Sequence, residues 1–595
     1  MAVHKLIDWL KNMARNSPWL MIAIGLHVIL AAVMSVVYIH HEMQKERDAA
    51  TQIAVSNRPD QIQEVIQPPE ELDRKKIPEN EVQAELVTYE EETTFVPTEE
   101  VEEDLYQDIG DPTGADDGSE AFTGGTSIGV GAGGHYGTGN PSAFVSRRAG
   151  TATKTKKGRP PKGATVGTEE AVLEGLRWLI RHQNEDGSWG AETASSHCSP
   201  PDKPCTPAGT EIKPYYNTGL TGLALLCFLG QGISVGSKIE IVDTAMGKRH
   251  LAGDIVKRGV KWLIDHQDKE QGFFSDPDFS TGMYNEALAT MALCEAYGIS
   301  RNRELKRPAQ KGVDWLVAAQ KVRLDATGGM PSDGSNPARW GWRYLSKKHV
   351  DDALAGGTID QTTYNELVQD VDISVTTWVV MALKSAKLVN LDVPSDVLPG
   401  ALEYARYTTG QDGLVGYKSP YGAGEKISGA GDHFTYHTAT MSALGMLVRT
   451  FVSHDLEDPF LELAAKQIIK DLPTVSKDKL SIDYYYWYYA TLALNQFDGP
   501  DSPRRGAGKY WEPWNKDLIA AVLSLQDQSK ARNTCTRGGW LENDRWGGHT
   551  GYALYNTAIN VLTLEVYYRY ENAFGVNQDV DAPAGGSVQG SQRPK

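Results

Sequence analysis

The 595-residue sequence predicts an all-α fold built as two concentric rings of six helices. Three observations lead there. Between residues 166 and 573, amphipathic segments alternate with segments that are apolar on nearly every side. Six of each kind recur, about 50 to 90 residues apart. No run alternates apolar and polar residues for long enough to suggest a sheet. A helix that is apolar all round must be enclosed all round, so the apolar set forms an inner ring and the amphipathic set covers it.

The first amphipathic segment places Val172, Leu176, Leu179 and Ile180 at i, i+4, i+7 and i+8, on one buried face. Similar segments begin near Gly253, Pro308, Pro399, Pro459 and Pro513. The prolines suit first turns, where a missing N–H costs least. The apolar segments are 217–230, 284–298, 372–388, 436–451, 483–497 and 554–570. Because the two kinds alternate, all inner helices run the same way and their N-termini gather at one mouth.

Ahead of this domain the chain reads differently. Residues 19–39 carry no charge and are long enough to span a bilayer, with Trp19 and Tyr38 at the two ends. Lys5, Lys11 and Arg15 against Asp8 put residues 1–18 in the cytoplasm and everything after the span outside it. The run is long for a cleaved signal peptide and lacks a small-x-small site, so a retained single-pass anchor is expected. Residues 40–165 lack periodicity and read as a disordered linker, acidic, then Gly-rich, then basic. From Asp60 to Glu120, 21 acidic residues face Arg74, Lys75 and Lys76, which accounts for the whole formal charge of −18. Gly129, Gly131 and Gly134 fit a dinucleotide-loop spacing without the strand and helix it needs. The basic stretch 156–162 lies outside the cytoplasm in this topology, so no nucleic-acid partner is expected. Residues 574–595 read as a disordered tail. Five cysteines exclude a disulfide-built scaffold. Cys227 and Cys294 fall in apolar segments as small hydrophobes, and Cys198 and Cys205 suit a disulfide if the domain is extracytoplasmic.

The first outer segment ends in Gln183-Asn184-Glu185-Asp186-Gly187-Ser188-Trp189, which resembles the Q-x3-G-x-W repeat of the squalene cyclases. Looser copies follow at Gln267 to Phe274, Gln320 to Trp342 and Gln526 to Trp540. The resemblance covers about 400 residues. It implies the α6–α6 toroid shared by squalene cyclases and protein prenyltransferases, here as a single toroid over 166–573.

Asp370-Val371-Asp372-Ile373-Ser374, where the third apolar segment begins, resembles the D-x-D-D-T motif of class II terpene cyclases, with Ile373 replacing the third acid. The resemblance implies Asp372 as general acid, Asp370 as its neighbour, and His433 or His437 as hydrogen-bond partner. Trp378, Tyr485, Tyr486 and Trp487 would then face a carbocation. Helix capping competes for Asp372, and Asn217 and Asp483 occupy similar positions. The zinc set of the prenyltransferases finds no cysteine beside Asp432, His433 and His437, and no metal or other cofactor is expected. Two functions follow. One is an isomerase that cyclises an isoprenoid by protonation. The other is a non-catalytic extracytoplasmic module that binds a protein, glycan or lipid.

Overall fold

The computed structural model describes residues 160–198, 204–206, 214–274, 282–324, 339–420, 438–500, 502, 504, 506–529, 534–544 and 551–569. The expected anchor, the tail and nearly all of the linker lie outside these residues, as do His433 and His437. Among the described residues no helix is long and apolar enough to cross a membrane.

The outer helices are α1 (Val166–Arg181), α3 (Ala252–His266), α5 (Lys306–Ala319), α9 (Val397–Tyr407), α11 (Pro459–Ile468) and α13 (Trp511–Leu525). The inner helices are α2 (Asn217–Gly230), α4 (Gly282–Ser300), α8 (Ile373–Leu388), α10 (Thr438–Ser453), α12 (Tyr484–Asp498) and α14 (Tyr552–Leu564). Each inner helix packs on the next, and α14 returns to pack on α2, so the inner ring closes. Each of the first five outer helices lies over two successive inner ones, and α13 packs on α12 and α1. The predicted twelve-helix architecture is therefore present among the described residues. Two short helices were not anticipated, α6 (Lys347–Ala355) and α7 (Gln361–Leu367), and the predicted segment 554–570 divides into α14 and a short α15 (Val566–Arg569). The expectation of no sheet also needs correction. Strands β1 (Glu240–Asp243) and β2 (Lys248–Leu251) form an antiparallel hairpin, too short for alternation to register.

The inner helices are enclosed as their composition requires. Every residue of α2 from Thr218 to Gly230 is buried. Capping opens the domain: Thr165 and Thr168 exchange hydrogen bonds between side chain and backbone at the start of α1. Pro459 occupies the first turn of α11.

The repeat has a common mechanical form. Gln183 Nε2 donates to the Gly187 carbonyl at 2.9 Å and to the Ile255 carbonyl of α3 at 2.9 Å. Gln267 does the same with Gly272 and Pro308, Gln320 with Trp340 and Val397, and Gln526 with Gly538 and Ala171. Each glutamine thus closes its own turn and holds the start of the next outer helix. The indoles of Trp189, Trp342 and Trp540 donate back to their own outer helices, to Leu179, Leu316 and Val522. Their backbone N–H groups donate inward to Thr221, Thr376 and Thr557. Gly187 has φ +94° and lies so close to the next outer helix that a Cβ would meet the Arg258 carbonyl oxygen at 2.5 Å. Gly therefore satisfies both the turn and the approach. A further copy runs from Thr409 to Val415, where Gly413 keeps the positive φ and Val415 N–H donates to Ser442. Its Gln and Trp are gone, which hid it in the sequence.

At the far end of the ring, Arg569, Glu295 and Glu565 are all fully buried. Arg569 Nη2 donates to Glu295 Oε2 at 2.6 Å, and Gln231 Nε2 donates to Glu565 Oε1 at 2.9 Å. This network ties the chain after α14 to the ends of α2 and α4. Arg569→Met leaves two buried carboxylates without their cation. We expect a loss of about 3–5 kcal/mol in urea unfolding; a loss under about 1 kcal/mol would show that the network does not hold the ring closed.

Candidate functional site at the mouth of the inner ring

The N-terminal ends of the inner helices meet at one mouth. Asn285, near the start of α4, bonds the Gly219 N–H near the start of α2 and the Tyr215 carbonyl just ahead of it. Asp372 is the N-cap of α8, extended at φ −139°, and its Oδ1 accepts from Val375 N–H at 2.8 Å. Asp483 caps α12 in the same way through Tyr486 N–H. Asn217 does not cap; it is the first residue of α2, and its amide donates to Glu192.

Asp372 is fully buried, and its Oδ2 lies 3.3 Å from Arg343 Nε. Burial pushes its carboxyl up to about 7, against the pull of the Val375 N–H, the Arg343 charge and the Tyr417 hydroxyl. Asp370 is a quarter exposed and binds Arg343 Nη1 through both oxygens at 2.7 Å. Lys418 Nζ reaches it at 2.6 Å. Burial opposes ionisation of Asp370, yet Lys418 and Arg343 outweigh it and hold the carboxyl below the usual range. Lys321 Nζ secures the same segment through the Leu367 and Asp370 carbonyls, each at 2.8 Å, and burial brings it down to about 8. The Arg343 guanidinium also stacks over Tyr344, 4.8 Å from its centroid. The two aspartates are thus brought together around one arginine.

The aromatic residues divide by direction. The Tyr284 hydroxyl of α4 lies 3.0 Å from Ser374 Oγ, which in turn lies 2.5 Å from the Tyr485 hydroxyl of α12. One turn further in, Trp378 packs on Tyr488 and Tyr489, with centroids 6.0 and 5.4 Å away. Helices α8 and α12 are separated by α10 around the ring, so these contacts are made on its inner side. Tyr485 stacks edge-on with Tyr489 at 4.9 Å. Tyr486 turns the other way, with its ring on Trp514 and its hydroxyl donating to Ile468 and Asp471 in the outer layer. Trp487 packs edge-on against Tyr484. Among the described residues the buried hydroxyl of Tyr555 has no hydrogen-bond partner. Sequence reasoning missed Arg343, Lys418, Tyr417, Tyr284 and Tyr555, and quoted Ser374 in its motif without giving it a role. Of these, Tyr284 and Tyr555 at the starts of apolar helices were the readable ones.

No family model matches the chain, and no curated protein does. Among solved structures, it is similar to the type II terpene cyclase MstE from Scytonema, with 12% identity, 67% of this chain and 97% of that chain covered, and a TM-score of 0.37. An α-1,6-mannanase of Salegentibacter sp. HEL1_6, solved with α-1,6-mannotriose, gives 9%, 68%, 99% and 0.38. The unsaturated glucuronyl hydrolase of Bacillus sp. GL1 gives 12%, 67%, 96% and 0.37. The ring architecture rests on the helix packing described above.

Asp372→Asn keeps a capping oxygen and mimics the uncharged carboxyl, so it should match the wild-type stability within about 1 kcal/mol near pH 4. Asp372→Ala removes the cap and a buried partner of Arg343, and should cost about 2–4 kcal/mol. The folded carboxyl titrates near 7, above an unfolded value of about 3.9. Its stabilising contribution is complete below about pH 4 and is lost as pH rises through about 7, by at most about 1.4 kcal/mol per unit. Urea unfolding of the wild-type and Asn forms across that range should therefore diverge; parallel curves would remove the assignment.

Proposed function

We propose that the toroid is a non-catalytic binding module, held outside the cytoplasm by the expected anchor over 19–39, that receives a hydroxyl-rich ligand of the glycan class at its mouth. The observation that carries this reading is the tyrosine set inside the ring. Tyr284, Ser374 and Tyr485 form a hydroxyl chain, and the buried hydroxyl of Tyr555 has no hydrogen-bond partner among the described residues. A hydrocarbon would leave such groups unsatisfied, at about 1–3 kcal/mol each. Sugar hydroxyls would satisfy them while the rings cover the sugar faces. Asp372 Oδ1 accepts the capping bond from Val375 N–H and Oδ2 lies in ion-pair range of Arg343 Nε, which suits a structural role for that carboxyl. The linker expected over 40–165 would reach roughly 60 Å if a random coil and would concentrate the module near the membrane.

A second reading has one observation in its favour. The Asp372 carboxyl is pushed up to about 7 by burial, so it holds a proton under mild conditions, as the acid of an isoprenoid cyclase must. Two measurements separate the readings. The full chain in detergent, screened on immobilised glycans, should show binders whose affinity falls about tenfold in Tyr485→Phe and in Ser374→Ala. Absence of any binder, or binding indifferent to both variants, would sink the module. Lipid extracts from cells expressing wild-type and Asp372→Asn chains should match. A cyclised isoprenoid present only with the wild type would establish the acid instead.

A further inference from the structure

His182, Cys198 and Cys205 from the first repeat and Cys535 from the last converge on one point, with their donor atoms all within 4.8 Å of one another. Cys198 Sγ lies 3.4 Å from Cys205 Sγ. Cys205 Sγ lies 3.9 Å from Cys535 Sγ and 3.3 Å from His182 Nε2. A tetrahedral zinc with Zn–S bonds of about 2.3 Å sets its sulfurs about 3.8 Å apart, and its nitrogen slightly nearer. The observed spacings bracket those values. Three cysteines and one histidine are also a common donor set of structural zinc sites.

The imidazole is prepared as a ligand. His182 Nδ1 lies 2.8 Å from the Trp178 carbonyl, an acceptor only, so Nδ1 carries the proton and Nε2 presents its lone pair to the sulfurs. The ring stacks on Trp178 at 3.7 Å with 14° between planes, which fixes its direction. Supporting bonds hold the loops. Thr206 N–H donates to Ser195 Oγ at 2.8 Å, linking the two cysteine-bearing segments. Arg181 donates to the Arg537 carbonyl and pairs with Asp243, bracing the Cys535 segment against α1. Cys227 and Cys294, by contrast, lie singly within α2 and α4.

We propose that these four residues form a structural zinc site that clamps the first outer helix to the loop after the last one. His182 ends α1, Cys198 and Cys205 follow it, and Cys535 lies beyond α13. The site sits where the first and last repeats meet without a covalent link. Four protein donors leave no open position, so the ion holds structure and does not activate water. Loading replaces the thiol protons, and up to three are released as the thiolates bind. The rival arrangement is a Cys198–Cys205 disulfide, which would use two sulfurs and leave Cys535 and His182 without a shared partner.

The full chain, purified in detergent with a mild reductant and no chelator, should carry about one zinc per chain by elemental analysis. Exchange for cobalt should give the absorption of a tetrahedral ion bound by thiolates. Cys535→Ser should lower zinc content at least about tenfold, while Cys294→Ala should leave it unchanged. The wild-type measurement does not depend on any variant folding. Background metal in the reduced wild-type chain, with no thiolate absorption on adding cobalt, would overturn the proposal. So would a Cys198–Cys205 disulfide found by peptide mass analysis in the metal-bearing fraction, or zinc retained by Cys535→Ser.

Discussion

The described domain is governed by the need to enclose six helices that have no polar face. In α2 every residue from Thr218 to Gly230 is buried, and α8 is buried from Ile373 to Ala386. Placed side by side in a row, such helices would leave two open flanks. Bending the row into a ring removes the flanks, and an amphipathic layer covers the rest. Closure brings a difficulty of its own, because the first and last repeats are joined by packing and not by the chain. Polar bonds join the two repeats there. Gln526 reaches Ala171, Arg537 pairs with Glu174, and Arg569 is buried with Glu295 and Glu565.

The same geometry shapes the mouth. Parallel inner helices bring their positive N-terminal ends together. Arg343, Lys321 and Lys418 add cations to that side, and Asp370 and Asp372 answer them. The carboxylates belong to this balance before they belong to any reaction. Their different surroundings, one fully buried and one partly open beside a lysine, set their pKa values apart.

Much of this was legible in the sequence because burial on all sides is a composition signal. The segment at 217–230 carries the same bounds in the structure, and the other inner helices agree within a few residues. The hairpin at 240–251 was not legible, since four residues per strand give alternation no room. The Thr409–Val415 repeat was hidden because its glycine alone survives. At the site, Asp370 and Asp372 stood out as carboxylates before an apolar run, but Arg343 and Lys418 arrive from other segments. In the aromatic run, helical spacing decides what composition cannot. Tyr485 and Tyr489 are four apart and share the inner face, whereas Tyr486 is rotated toward Trp514. The cluster of His182 with three cysteines has no C-x-x-C spacing, and Cys535 lies more than three hundred positions from its partners.

The contact of Trp378 with Tyr488 and Tyr489 joins two inner helices that are not neighbours in the ring. Such a strut couples α8 to α12 without passing through α10, so a shift of either helix at the mouth must repack the aromatic layer beneath it.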